Sequence, residues 1–156
     1  MANVKDLEPY AANVEGLIAI LEDFRKTIPI TAVSKVVGYQ AEAFENVSQG
    51  DAIYSRISDG KVGKAIANGT LDQATVAGFA ETTKTAGQTV RVIVSGQVAA
   101  GTQTLDAGDI FFLSALSAGA ITKTPPTTAG QFLTLVGEAP NTSELVVRIK
   151  RPIQLR

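Results

Sequence analysis

The chain contains an internal repeat, and this repeat constrains the fold more than any other feature of the sequence. Four short blocks occur twice, in the same order and at nearly constant spacing: 58 residues between the Gly-Asp blocks, 59 between the turn blocks and the apolar-glycine blocks, and 57 between the Val-Arg blocks. The matched blocks are 50–54 with 108–112, 59–62 with 118–121, 76–80 with 135–139, and 90–92 with 147–149. We interpret the chain as a duplication of a small β unit, a kind of unit that usually serves as a scaffold rather than a catalyst.

The composition sets limits on the function. At 156 residues the chain is long enough to fold as one domain without a disulfide or a structural metal. It has no cysteine and no histidine, which removes thiolate chemistry, zinc thiolate sites and the commonest general base. The net charge of −1 provides no general attraction for nucleic acid or an anionic membrane. We therefore expect no cofactor, no metal, no membrane and no specific nucleic-acid partner, and synthesis in a host cytoplasm without a signal peptide.

The N-terminal segment differs from the repeat. Residues 1–12 show little periodicity and are typical of an arm that a partner orders. From Asn13 to Pro29, apolar residues recur at steps of three and four, which predicts an amphipathic helix with Asn13 as its N-cap. A strand over 16–21 is the alternative. We assign residues 1–38 to the arm and helix, and residues 39–156 to the duplicated β domain.

Within the β domain, each repeat, about 45–96 and 103–150, predicts four strands. The Asp59-Gly60 pair predicts a two-residue hairpin, and Gly38-Tyr39-Gln40 is expected to end a β-prone stretch before the first repeat. Because each four-strand unit has one apolar face, the two units should pack against each other as a sandwich or a small barrel. The predicted strands are 52–58, 61–66, 75–81 and 89–95, then 109–114, 120–123, 131–138 and 144–150.

Three matched pairs of residues are candidates for a site. Gly78 and Gly137 are expected to mark a bulge or a close backbone approach in both units. Asp51 and Asp109 supply one carboxylate per unit, too few for calcium, so we expect each to hydrogen-bond the turn before its strand. Arg91 and Arg148 are expected to project into solvent from equivalent strands, where either could form a salt bridge between subunits.

The sequence offers little for catalysis. Ser95 lacks the preceding glycine of a nucleophile elbow and has no histidine to activate it. Gly96 and Gly101 have the spacing of a phosphate loop, but Thr102-Gln103 follows in place of the required lysine. The basic residues of the C-terminal tail are more typical of a protected strand edge than of a binding site. We expect that the protein is not an enzyme.

A longer stretch of the second repeat resembles a known module. The segments 87–92, 108–114, 118–131 and 136–139, with their Phe-Leu-Ser, Ala-Gly and Thr-Pro-Pro phrases, are similar to a β module of tailed-bacteriophage virion proteins. That module occurs in capsid cement (decoration) proteins and in tail fibres, and the resemblance covers roughly residues 45–156.

The resemblance implies a structural protein of the virion. Proteins of this kind are usually homotrimers that bind the outer surface of the assembled capsid and stabilise it by bridging subunits of the major capsid protein. The short chain favours this role over the alternative, a tail-fibre or tail-associated module for host-surface recognition. A polysaccharide-degrading enzyme ranks third, because nothing pairs its available carboxylates across a cleft. For the contact with the capsid or a sister subunit we select three residues of the N-terminal arm, Val4, Leu7 and Tyr10.

Overall fold

The computed structural model describes residues 35–156, within which a compact unit extends from Val36 to Arg156. The predicted N-terminal arm and helix therefore lie outside the described residues, as does the alternative strand over 16–21. The described chain is mainly β-strand, and the prediction of a mainly β fold of the sandwich or barrel type is confirmed.

The described unit contains eleven strands and one short helix. The helix, α1, spans Leu71–Ala74 and begins with a capping box, in which Thr70 and Gln73 each accept a hydrogen bond from the other's backbone N–H. The strands are β1 (Val37–Glu42), β2 (Ala52–Ser55), β3 (Val62–Lys64), β4 (Val76–Ala80), β5 (Thr89–Ala99), β6 (Ile110–Leu113), β7 (Ile121–Thr122), β8 (Phe132–Leu133), β9 (Leu135–Glu138), β10 (Glu144–Val147) and β11 (Ile153–Gln154).

The strand order reads the same from both ends. The main sheet runs β3-β2-β4-β5-β10-β9-β6-β7, with β1 paired to β5 beside this path, while β8 and β11 form a separate two-stranded sheet. The first half, β2 to β5, and the second half, β6, β7, β9 and β10, thus share one antiparallel topology. The two halves meet where β5 pairs with β10. The duplication itself stays a prediction about the origin of the sequence.

Both halves carry the same irregularity. The register shifts between Ile53 and Tyr54 where β2 pairs with β4, and between Phe111 and Phe112 where β6 pairs with β9. Gly78 lies opposite the first shift and Gly137 opposite the second. A Cβ atom on either glycine would lie only 2.4 or 2.3 Å from a carbonyl oxygen of the next strand. The prediction of a bulge and a close backbone approach at both glycines is confirmed.

The sheet curls into a half-barrel whose two ends are joined by hydrogen bonds. The N–H of Gly119 donates to the carbonyl of Ala65, and the N–H of Ala52 donates to the carbonyl of Gly119. The nitrogen-to-oxygen distance is 2.8 Å in both bonds. The main core fills the enclosed space with side chains from both halves, as expected for two units that cover each other's apolar faces. Its largest fully buried members are Phe79, Phe111, Ile93, Leu113 and Leu145.

Three details of the sequence prediction are wrong. Gly38-Tyr39-Gln40 does not interrupt the chain but lies inside β1, where Gly38 allows close approach to the carbonyl of Val92. The first hairpin has a longer turn than two residues, because Asp59 binds the N–H of Lys61 and the strands end at Ser55 and resume at Val62. The single strand predicted over 131–138 is divided between β8 and β9.

Candidate functional site

Each half of the sheet displays one large aliphatic side chain at the tip of its first hairpin. Ile57 lies in the turn between β2 and β3 and is 86% exposed, and Leu116 lies in the turn between β6 and β7 and is 93% exposed. They are 59 residues apart, the same spacing as the turn glycines. One exposed aliphatic residue is ordinary on a protein surface, but two at matched positions are not explained by the fold. We define Ile57 and Leu116 as the two tips.

A groove lies beside the first tip. Its volume is about 550 Å³. The short helix α1 provides one wall, where the side chain of Leu71 is 58% exposed, and β2 and β4 contribute the other. Ile57 and Leu71 therefore expose apolar surface to solvent beside this groove. The lining residues are Ser55, Ile57, Thr70, Leu71, Asp72, Thr75 and Ala77.

A smaller cleft lies beside the second tip. It has a volume of about 250 Å³, and hydroxyl groups and two proline rings form much of its wall. Ser114, at its base, is 7% exposed, and its Oγ accepts hydrogen bonds from the N–H groups of Leu116 and Ser117 at 3.1 and 3.3 Å. These bonds fix the turn that carries the second tip. The lining residues are Ser114, Ala115, Leu116, Thr122, Thr124, Pro125, Pro126, Thr127, Thr128 and Gln131.

The first tip is held by charge instead of a buried hydroxyl. The Nε of Arg56 donates to Oδ1 of Asp59 over 3.0 Å, and the same guanidinium lies 4.3 Å from the ring centre of Phe44. The hydrogen bond from Arg56 lowers the pKa of Asp59 from 3.8 to about 2. At neutral pH Asp59 is therefore ionised and keeps its ion pair with Arg56 beside the first tip.

Gln103 joins the two halves of the sheet at the base of the second hairpin. Its Nε2 donates to the carbonyl oxygens of Gly119 and Gly50 over 2.9 and 3.3 Å, and its Oε1 accepts from the N–H of Ile121 over 3.2 Å. This side chain therefore bonds the turn before β2 to the hairpin of β6 and β7. Gln103 is not among the predicted site residues, since an isolated glutamine in a loop carries no local signal of a contact so distant in sequence.

The two matched aspartates have different surroundings. Asp51 is 8% exposed, and its Oδ2 accepts the N–H of Ser48 over 2.8 Å, which confirms the prediction for this residue. Burial raises the pKa of Asp51, and the bond from Ser48 opposes that rise. For Asp109 the prediction is wrong, because its carboxylate lies at the surface 3.4 Å from the Nζ of Lys123. Lys123 also contacts Asp106, whose carboxylate has no counterpart in the first half.

The two matched arginines form matched ion pairs inside the chain. Arg91 binds Glu81 over 2.9 Å and Arg148 binds Glu138 over 3.0 Å, all four side chains being at least 41% exposed. Both arginines thus project toward solvent as predicted, and their partners lie on or beside the neighbouring strand of the same chain. Ion pairs this exposed contribute at most about 1 kcal/mol each. We treat them as part of the scaffold.

Within residues 35–156, Ser95 is isolated and no metal-binding cluster is present. Ser95 is an exposed residue of β5, and no hydrogen bond joins its side chain to a described acid or base. The described chain has no group of three acidic, histidine or cysteine side chains placed to hold a metal ion. Nor does any helix within this part have the length and apolar character needed to span a bilayer. Val4, Leu7 and Tyr10 lie outside the described residues.

No protein-family model matches this chain, and no curated protein is significantly similar to it.

Proposed function

We propose that the protein is a structural component of a phage virion, which binds the outer surface of the assembled capsid and stabilises it by bridging subunits of the major capsid protein. The observation that carries this proposal is the pair of tips. Two aliphatic side chains, 86% and 93% exposed and 59 residues apart, offer two comparable contacts for the surface of another protein. A protein with two such contacts can join two neighbouring subunits.

The energetics of such binding suit a repetitive shell. Fully burying one isoleucine or leucine side chain contributes roughly 1.5–3 kcal/mol. That is modest for a single site, but two contacts on one rigid scaffold increase the affinity through effective concentration. A ligand that binds only the assembled shell stabilises it by mass action. A homotrimer, which the resemblance implies, would present six tips.

The copy number of the chain per virion tests this function. Virions of the phage that encodes the chain are purified, and the chain is quantified by mass spectrometry against the major capsid protein. We expect a number close to that of the capsid subunits, because only the shell offers so many equivalent sites. Absence of the chain from the particle would contradict the proposal.

Substitution at the tips tests the surface itself. Ile57→Ser and Leu116→Ser should each weaken binding to shells that lack the protein by about tenfold or more, in accordance with the lost burial. Neither side chain belongs to the core, so the unfolding temperature should hardly change. Ile153→Ser is the matched control, since Ile153 is 63% exposed on β11 but lines neither the groove nor the cleft beside the tips. Equal binding by all three variants would show that the tips are not the contact.

A second candidate is a tail-fibre or tail-associated module that recognises the host surface. The cleft beside Leu116 favours it, because hydroxyl groups such as those of Ser114, Thr122 and Thr124 suit a polar ligand. The copy number separates the two roles. Only a few chains per particle would place the protein at the tail or a vertex.

A further inference from the structure

The Asn68-Gly69 pair lies in a turn between two fixed points of the chain. Ala67 is fully buried and bonds the second half of the sheet through both its N–H and its carbonyl, over 2.9 and 2.8 Å. On the other side, Thr70 begins the capping box of α1. Asn68 and Gly69 themselves make no backbone hydrogen bond to another described residue. The side chain of Asn68 is exposed and is likewise unbonded within the described chain.

An asparagine before a glycine can react with its own backbone. The peptide nitrogen of Gly69 loses its proton to the solvent base and attacks Cγ of Asn68, so that a C–N bond forms. The side-chain nitrogen leaves with a proton as ammonia, and the product is a cyclic imide. Water then opens this imide at either carbonyl, which gives aspartate or isoaspartate at position 68. One water is consumed and one ammonia released, so the reaction needs no cofactor or oxidant.

The other two asparagines of the described chain are held by hydrogen bonds. Oδ1 of Asn46 accepts a backbone N–H over 2.9 Å. Oδ1 of Asn141 accepts the N–H groups of Ser143 and Glu144 at 2.8 and 2.9 Å. Both asparagines also precede a β-branched residue, whose side chain crowds the attacking nitrogen. Of the three, only Asn68 combines an unbonded amide with a following glycine.

Asp59-Gly60 is a second pair that could form the same imide, with water leaving in place of ammonia. Here the fold prevents the reaction. Oδ1 of Asp59 accepts bonds from Arg56 over 3.0 Å and from the N–H of Lys61 over 3.1 Å, and the N–H of Gly60 donates to a carbonyl over 2.8 Å. The bond from Arg56 also lowers the pKa of Asp59 to about 2, and the resulting carboxylate anion is a poor electrophile.

The capping box itself requires the glycine that promotes the reaction. Oε1 of Gln73 accepts the N–H of Thr70 over 3.0 Å, and a Cβ atom on Gly69 would collide with this oxygen. A residue without a Cβ is therefore needed at position 69, and the same absence of a side chain leaves the nitrogen of Gly69 open to attack on its neighbour.

We propose that Asn68 is a site of spontaneous deamidation in the folded protein, which converts it to aspartate and isoaspartate. The proposal does not rest on the function proposed above. Isoaspartate adds one atom to the main chain between Ala67 and Thr70. Since Ala67 is buried and bonded on both sides while Thr70 is exposed, α1 has to move. Because α1 forms a wall of the groove beside the first tip, the modification changes the shape of that groove.

Peptide mapping of the full chain tests the site. After incubation at neutral pH, trypsin releases the peptides 36–56, 65–84 and 124–148, each of which contains one asparagine. Mass spectrometry against a sample digested at time zero should show that Asn68 loses its amide at least about tenfold faster than the other two, because glycine leaves the attacking nitrogen uncrowded. Equal rates in the three peptides, or an unmodified Asn68, would overturn the proposal.

A matched variant identifies the product. Isoaspartate is counted by methyl transfer from radiolabelled S-adenosylmethionine with an isoaspartyl methyltransferase. Asn68→Gln keeps an exposed amide, but its longer side chain closes the ring far more slowly, so labelling of the aged variant should fall to that of fresh protein. Labelling equal to that of aged wild type would refute the assignment to Asn68.

Unfolding and hydrogen exchange test the role of the fold. In guanidinium chloride the bonds that protect Asp59 are lost, so isoaspartate should appear there, whereas in the folded chain it should not. Isoaspartate at Asp59 in the folded chain would contradict the protection. The amide of Gln73, which donates to Thr70 over 3.3 Å, should exchange faster in the isoaspartyl form than in Asn68→Asp, which carries the charge without the longer main chain. Equal exchange would refute the movement of α1.

Discussion

Replacing Gln103 by alanine should destabilise the protein by about 2 kcal/mol, because this side chain closes the half-barrel. The substitution removes three hydrogen bonds, to Gly119, Gly50 and Ile121. The carbonyl of Gly119 keeps a second bond from the N–H of Ala52, so it remains satisfied. The carbonyl of Gly50 and the N–H of Ile121 are left without that partner, at a cost of about 1 kcal/mol each where water has partial access.

Urea unfolding at pH 7, followed by far-ultraviolet circular dichroism, measures this change in the free energy of unfolding. Gln97→Ala is the matched control, because Gln97 is a half-buried glutamine of β5 whose side chain has no hydrogen bond to another described residue. Gln103→Glu separates hydrogen bonding from volume. It preserves the size of the side chain but turns a carboxylate oxygen toward two carbonyl oxygens, so it should destabilise more than alanine does.

Gln103 would not close the half-barrel if Gln103→Ala and Gln97→Ala lost the same free energy of unfolding within about 0.5 kcal/mol, which is the usual range for surface substitutions. The same conclusion would follow if Gln103→Glu were as stable as the wild type. Either result would mean that the two ends of the sheet are held together by packing alone.

Three further substitutions give independent tests. Gly137→Ala should cost about 1–3 kcal/mol in urea unfolding, because its Cβ would lie 2.3 Å from the carbonyl oxygen of Val146; no loss would exclude the close approach. Burial raises the pKa of Asp51, so its contribution to stability is present below pH 3.8 and is lost as the pH rises through the raised value. Asp51→Asn should therefore gain stability relative to wild type between pH 3 and pH 7, and a constant difference would contradict this sign. The pKa of Asp59 is lowered to about 2, so its contribution is present above pH 3.8 and is lost as the pH falls toward 2. Asp59→Asn should be less stable than wild type at pH 7, and the difference in thermal unfolding should shrink as the pH falls through about 2; a difference that does not shrink would argue against the ion pair with Arg56.

The repeat predicted the main sheet because strand pairing follows local signals that occur twice. An apolar block after Gly-Asp, a turn, and an apolar block around a glycine lead to the same three-strand arrangement in both halves. The bulge glycines Gly78 and Gly137 were also predictable, since a glycine inside a strand often marks a bulge or a place where another backbone comes close. Helix α1 has a local signal in the sequence as well, the capping box of Thr70 and Gln73, although no helix is predicted there.

The missed features depend on contacts between distant residues. Gly38 reads locally as an interruption, yet it lies in β1 because of its approach to Val92, 54 residues later. The division between β8 and β9 falls at Thr134, which is fully buried and donates its hydroxyl to the carbonyl of Ala74 over 3.1 Å. The two tips were missed because exposure is a property of the folded chain, although their spacing of 59 residues was visible in the sequence.

Cooperative unfolding of the described unit depends on strand β5. Its first part pairs with β1 and β4, and its last residues pair with β10. Because β5 pairs with strands of both halves, opening of one half leaves an unpaired edge on the strand to which the other half is bonded. Hydrogen exchange of the β5 amides should report one global opening reaction, with no separate, weaker opening of the first or second half. Because Ala99 pairs with Glu144 across 45 residues, this junction also closes a long loop, which slows folding.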